Sequence, residues 1–322
     1  MGGDAMTFEE EKRIAQTQVE KLIDAGAPIA TLSIFDVLDQ YTPSERVKGE
    51  VEYTKDLYLE YVNKLREFSE EDQATFLKTL KDSDIIDNQS IEKEDSFLIA
   101  LSRHFEDEVS IDLLLEKIKN GDPITKEEFI YMHDVLLQGT SSQNKQGIRE
   151  DDLKFVGSYY YGEPRTKYFF ENREICYFPL RHTEIDTAMD KFLGFINSGV
   201  RPNDGYDVMI LPMICHGLLA ALQLFQDGNT RYGRLFQSAM LYQFANDSLF
   251  LDLPLPVVYG SRQYAAYRDD YRQKVSNLVI RNHSDAWDDW LLFNLRRIQD
   301  SIFYNMSCLD KMAQYPRGGR GY

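Results

Sequence analysis

Apolar positions along the chain recur mostly at helical spacing, with an unbroken run in one place. Residues 208–225, Val-Met-Ile-Leu-Pro-Met-Ile-Cys-His-Gly-Leu-Leu-Ala-Ala-Leu-Gln-Leu-Phe, are apolar almost throughout and read as a buried helix. A second helix follows over 232–244, so the polar segment between them is a turn joining two helices. Helical periodicity also marks 8–25, 51–68, 261–278 and 285–305, with residues 82–88 near the start of another helix. In the 285–305 segment Trp287, Trp290, Leu291 and Ile298 share one face, interrupted by Asn294, which marks them as core. Residues 157–179 differ: Tyr, Phe and Ile cluster around Gly/Pro and Glu-Asn breaks, the signature of short strands. Leu253-Pro-Leu-Pro256 breaks the chain after the second helix, and Arg317-Gly-Gly-Arg-Gly-Tyr322 reads as a frayed tail.

Composition narrows the class. A chain of 322 residues, 43% hydrophobic and 13% aromatic, buries a substantial core. A formal charge of −17 argues against nucleic acid as a partner, because neutralising a phosphate backbone needs a positive surface. No stretch reaches the roughly 20 uninterrupted apolar residues that cross a bilayer. Three cysteines, Cys176, Cys215 and Cys308, have no metal-ligand spacing and form no even framework. A reducing, cytoplasmic setting is the simplest expectation, with no membrane partner.

The candidate chemistry lies in the turn, Asp227-Gly-Asn-Thr-Arg-Tyr-Gly-Arg234. The first N–H groups of a helix lack partners within it, so Gly228, Asn229, Thr230 and Arg231 are placed to donate to an anion with the helix dipole behind them. Gly228 lets a ligand approach the backbone, and Asn229 tolerates left-handed torsions or caps the helix. Asp227 offers a hard oxygen for Mg²⁺, and the planar forks of Arg231 and Arg234 suit phosphate. An ordinary helix–turn–helix corner with solvated arginines is the competing interpretation.

Residues 224–234 resemble the signature of the Fic/Doc family, H-x-F-x-[DE]-G-N-[GK]-R-x-x-R, matching at Phe225, Asp227, Gly228, Asn229, Arg231 and Arg234. The resemblance implies a mainly α, Fic-type helical bundle with a short β-hairpin flap and additional N- and C-terminal helices. The implied division is an N-terminal helical region at 1–122, a Fic-like core at 123–250 and a C-terminal helical extension at 251–322. It also implies a nucleotide donor, ATP or a related nucleotide with Mg²⁺ held by Asp227, and transfer of an adenylyl group to a Ser, Thr or Tyr hydroxyl of a target protein. Residues 124–139 look like the helix that precedes the family's active site, with Thr125 as N-cap and Glu128 completing a capping box. Gly147-Ile-Arg149 resembles the start of the flap. Tyr159, Tyr160 and Tyr161 fall in the flap, which in the family docks a target by strand addition, and 177–197 resembles the proline-led helix that follows.

Two departures bear on activity. The family's catalytic histidine falls on Gln223, and glutamine accepts no proton at neutral pH. Loss of a general base costs on the order of 10²–10⁴ in rate, so weak or lost transfer is expected. A nucleotide-binding regulator or protein-interaction module without transfer chemistry is the alternative. His216 lies seven residues earlier, roughly 10 Å along the axis at ~1.5 Å per residue, and reads as a packing residue. Thr230 replaces the usual Gly or Lys. Upstream, Ser83-Asp-Ile-Ile-Asp87-Asn88 fits the pattern of an inhibitory helix near 83–95, if Asp87 replaces the usual glutamate and pairs with Arg234.

Overall fold

The computed structural model describes residues 7–91, 117, 120, 122–138, 142–159, 167–170, 173–197, 209–249 and 261–314. The described residues are mainly helical. In chain order they form α1 (Phe8–Asp24), α2 (Ser33–Gln40), α3 (Glu45–Leu65) and α4 (Glu70–Ile91). α5 (Lys126–Leu137), α6 (Ile185–Asn197), α7 (Ile210–Leu222) and α8 (Asn229–Leu249) follow. α9 (Ser261–Ala266), α10 (Arg268–Ile280) and α11 (Ser284–Gln314) are the last of the described helices. Among the described residues three short strands, β1 (Val156–Tyr159), β2 (Phe169–Phe170) and β3 (Arg173–Tyr177), make an antiparallel sheet in the order β1-β3-β2. The expected hairpin is the β2–β3 pair, and β1 adds a third strand on the other edge of β3.

Capping residues set several boundaries. Thr125 accepts from the Glu128 N–H while the Glu128 carboxylate accepts from the Thr125 N–H, the reciprocal box expected at the start of α5. Ser44 accepts from the Val47 N–H at 3.3 Å, so α3 starts earlier than its apolar spacing suggested. Ser69 accepts from the Asp72 N–H, with Glu70, Glu71 and Asp72 in the first turn, and this start moves α4 upstream. Residues 82–88 therefore lie in the interior of α4, a correction to their expected place near a helix start. The expected helix over 261–278 is two helices separated at Tyr267. α2 was not anticipated.

α7 is the central rod. Nearly all of its residues are buried, and it packs against α8, α10 and α11. Gly217 makes the contact with α11 possible: a Cβ there would lie 2.7 Å from Trp290 Nε1, 3.0 Å from Trp287 Cζ3 and 3.1 Å from Leu278 Cδ1. Trp290 Nε1 donates to the Met213 carbonyl at 2.7 Å, so the indole is packed and its polar atom satisfied. α11 also lies along α3, and Gln299 donates to Glu50 and Thr54 across that seam. At the other side of the α7–α8 pair, Phe129 of α5 gathers Phe192, Phe225, Tyr232 and Phe236 around it, with ring centroids 5.1–5.8 Å away. This aromatic layer is the floor beneath the turn between α7 and α8. Among the described residues no helix is long and apolar enough to cross a membrane.

Candidate functional site

The turn begins where α7 ends on a left-handed residue, Gln223, at φ 53°. That conformation costs an L-residue about 1–2 kcal/mol, and the surroundings hold it. The Gln223 side chain folds back, its Nε2 donating to the Ala220 carbonyl at 2.7 Å, and the Tyr177 hydroxyl donates to the same carbonyl at 3.2 Å. The carbonyls of the last turn of a helix need such partners. Gln223 is 7% exposed, so its side chain is turned largely inward.

Arg149 fixes the next stretch. Its Nε donates to the Gln223 carbonyl at 3.2 Å, Nη1 to the Asp151 carbonyl and the Asp152 carboxylate, and Nη2 to the Leu180 carbonyl. The Arg149 N–H donates to Leu224 O, the Gln226 N–H donates to Gly147 O, and Ile148 bridges Phe225. Gly147-Ile-Arg149 is thus a strap along the turn, and its arginine serves the protein's own carbonyls. Asp152 receives the His182 N–H at 2.7 Å as well as Arg149. Burial works against its charged form, but those donors hold its carboxyl below the ordinary range.

Phe225 is pinned from three sides. His133 of α5 stacks on its ring at 3.7 Å between centroids, with 9° between planes. The Asn229 amide closes on its backbone, Oδ1 accepting from the Phe225 N–H and Nδ2 donating to the Phe225 carbonyl, both at 2.9 Å. Lys154 reaches the carbonyls of Phe225 and Gln226, the latter at 2.9 Å. The Asn229 side chain is therefore a brace across the turn, and the left-handed torsion falls on Gly228, at φ +72°. A Cβ on Gly228 would sit 2.9 Å from Leu137 Cδ2 and 3.2 Å from His133 Nε2, so only glycine fits in space as well as in torsion. His133 Nε2 lies 2.8 Å from the Asp227 carbonyl, which suits an N–H donated to it.

Asp227 faces outward, its side chain 39% exposed. Oδ1 accepts from the Gly228 N–H at 2.8 Å, and Oδ2 accepts from the Ser142 hydroxyl at 2.8 Å with Lys145 Nζ at 3.5 Å. Burial, the strongest influence, opposes the charged carboxylate. The Ser142 hydroxyl, the Gly228 N–H and the charges of Lys154 and Lys145 overcome it and keep the carboxyl below its ordinary range. Among the described residues no three His, Cys, Asp or Glu side chains gather into a metal site. Asp227 is a lone carboxylate with chain donors on both oxygens.

The N-terminus of α8 carries the arginines. Arg231 is 2% exposed; Nη2 donates to the Leu136 carbonyl at 3.3 Å, while Nε and Nη1 are buried with no hydrogen-bond partner among the described residues. Arg234 is 3% exposed, and after burial, the strongest influence, its charge also disfavours the charged form of His216. Thr230 is half-buried in the first turn of α8. His216 is fully buried, Nδ1 at 2.7 Å from Gln237 Oε1 and Nε2 at 2.8 Å from the Tyr271 hydroxyl. Burial pushes it down to about 3, so it is a neutral packing group.

Asp227, Gly228, Asn229, Thr230 and Arg231 thus form one continuous turn, with Gln223 at its start and Arg234 one helical turn on. Ser83, Asp87 and Asn88 lie on the backbone of α4, but their side chains fall outside the described residues, and so does any contact of Asp87 with Arg234. Tyr159 pairs with Arg173 in the β1–β3 ladder, its side chain also outside the description, and Tyr160 and Tyr161 are outside the described residues. Sequence reasoning missed His133, Ser142, Lys145 and Lys154. A signal existed for one of them: His133 sits among apolar residues in α5, where a polar group has to find a partner.

The Fic/DOC family model matches residues 123–241, the span from just before α5 to within α8. Among solved structures the chain is similar to a Fic family protein from Desulfovibrio desulfuricans G20, at 14% identity and TM-score 0.54, over 83% of this chain and 76% of that one. It is also similar to a Fic domain containing signaling protein from Bacteroides thetaiotaomicron VPI-5482, at 12% identity and TM-score 0.54, over 80% of this chain and 97% of that one. At these identities the likeness is one of fold. No curated protein sequence matches the chain.

Proposed function

We propose that the Fic/DOC domain at 123–241 binds the phosphates of a nucleotide, ATP being the donor that the motif favours, at the turn between α7 and α8, and that transfer to a protein hydroxyl is weak or lost. The observation that carries the reading is Arg231. A guanidinium buried to 2% exposure with Nε and Nη1 unpartnered is costly unless an anion completes it, and it stands in the first turn of a helix whose N–H groups favour the same anion. The β- and γ-phosphates would lie along Gly228–Arg231, with Arg234 one turn deeper. In an active relative of this arrangement, a Ser, Thr or Tyr oxygen of the target attacks the α-phosphorus, the bond to pyrophosphate breaks, and a base takes the hydroxyl proton.

Gln223 has no capacity for that last role. Its amide nitrogen is tied to Ala220 O, which favours the reading of a nucleotide-binding regulator over that of an efficient transferase. The half of α4 that carries Ser83, Asp87 and Asn88 is proposed as a brake acting on Arg234. The test uses ATP labelled at the α-phosphate and compares the unaltered chain, Gln223→His, and Gln223→His with Asp87→Gly. Label on protein only after histidine is restored, and more of it with Asp87→Gly, is the expected result. Label on the unaltered chain overturns the loss of transfer, and retention of ATP binding by Arg231→Ala overturns the phosphate site.

A further inference from the structure

The carboxylate of Asp227 already has a cation beside it, one supplied by the chain. Lys145 Nζ lies 3.5 Å from Oδ2, and its side chain is 60% exposed, so the ammonium stands at the open side of the turn. The backbone that delivers it is fixed at both ends. Lys145 closes a single 3-10 turn (Gln143–Lys145) whose first hydrogen bond runs from its own N–H to Ser142 O at 2.8 Å, and the Ser142 hydroxyl is the donor to Asp227 Oδ2. On the other side Asp134 holds the following residues, Oδ1 accepting from the Gly147 N–H at 2.7 Å and the carbonyl accepting from Gln146 Nε2 at 2.8 Å. A second ammonium, Lys154, is anchored on the carbonyls of Gln226 and Phe225, immediately before Asp227 in the chain.

We infer that the ε-ammonium of Lys145 takes the place of a divalent cation at Asp227, so that the site holds nucleotide phosphate without Mg²⁺. The inference rests on the nucleotide reading of the turn. An ammonium carries three donors on a flexible stem, so it bridges a carboxylate and phosphate oxygens as a compact positive charge. Mg²⁺ demands near-octahedral oxygen geometry and keeps its waters, usually with one or two carboxylates. Here it would have to displace Lys145 from Oδ2 and remain beside Lys154, against the repulsion of two positive groups.

The experiment titrates ATP into the full chain in EDTA and in excess Mg²⁺, for the unaltered protein, Lys145→Met and Lys145→Arg. The unaltered protein and Lys145→Arg are expected to change affinity by less than about threefold between the two media, while Lys145→Met weakens by about tenfold or more in EDTA and recovers in Mg²⁺. Unaltered protein that needs Mg²⁺ by about tenfold, with Lys145→Met no different, overturns the inference and leaves the nucleotide site standing. Lys145→Met that is weak in both media also overturns it, since the lysine is then a phosphate contact and not a substitute for the metal. Absence of ATP binding in either medium overturns the nucleotide reading itself.

Discussion

The body of α7 and the turn that follows it are held by opposite means. Along the body, Gly217, Leu278, Trp287 and Trp290 interlock as volumes, and the polar contact of Trp290 with Met213 O completes a fit made by shape. Past Gln223 the shape is set by direction: Arg149, Lys154, Asn229 and His133 each aim a donor at a particular main-chain carbonyl. Apolar packing is tolerant of small shifts in angle, whereas hydrogen bonds weaken steeply with misalignment. The difference teaches that the scaffold and the turn can be perturbed separately.

The largest effect is expected from Trp290→Ala in the body, about 3–5 kcal/mol lost in chemical denaturation because a fully buried indole leaves a cavity. A loss below about 1 kcal/mol would mean that shape is not what holds α7. Arg149→Met comes next, at about 3 kcal/mol, since it removes the partner of a mostly buried Asp152 and frees the Gln223 carbonyl. Hydrogen exchange should quicken at 223–226 in that variant and stay slow within α7, and equal quickening in both would erase the distinction. Gly228→Ala should cost about 1–2 kcal/mol through its left-handed torsion, aggravated by the contact with Leu137, and weaken ATP binding far more than Gly217→Ala does.

The smallest effect separates the two regions by pH. His216 in the body is pushed down to about 3, so below its ordinary value of 6.5 the unfolded chain takes a proton that the folded chain refuses, and stability falls as pH drops from 6.5 toward 3. Between pH 7 and pH 6 the change is under about 1 kcal/mol, and His216→Gln should remove it. Asp227 in the turn has a depressed carboxyl, so its contribution is present above the ordinary carboxylate range and is lost as pH falls through its folded value. Asp227→Asn should flatten only that lower, acid limb of the denaturation profile.

What the sequence made legible follows the same division. The unbroken apolar run of α7, the capping box of α5 and the tryptophan face of α11 are local patterns, and each appears in the structure near its expected place. The motif located the turn, and its Gly228 carries the positive torsion that a Gly/Asn turn requires. The bracing was not legible, because it comes from afar: the resemblance places Arg149 at the start of the flap, yet its guanidinium is buried among carbonyls. Ser142, Lys145 and Lys154 carry no periodicity of their own, so nothing local ties them to Asp227. Residues 82–88 fall inside α4 and not near its start, because that start is set by Ser69 and its acidic neighbours.

The bracing of the turn also sets an order of assembly. His133 meets Asp227 across 94 residues, Ser142 meets it across 85, and Arg149 meets Gln223 across 74. Contacts between partners so distant in the chain require long loops to close before they give any return, whereas the turns of α5 and α7 form among neighbours. The turn is therefore expected to take shape in refolding after the two helices it joins. A chain stalled before that step would show its full helical content by circular dichroism and still have no place for an anion to settle.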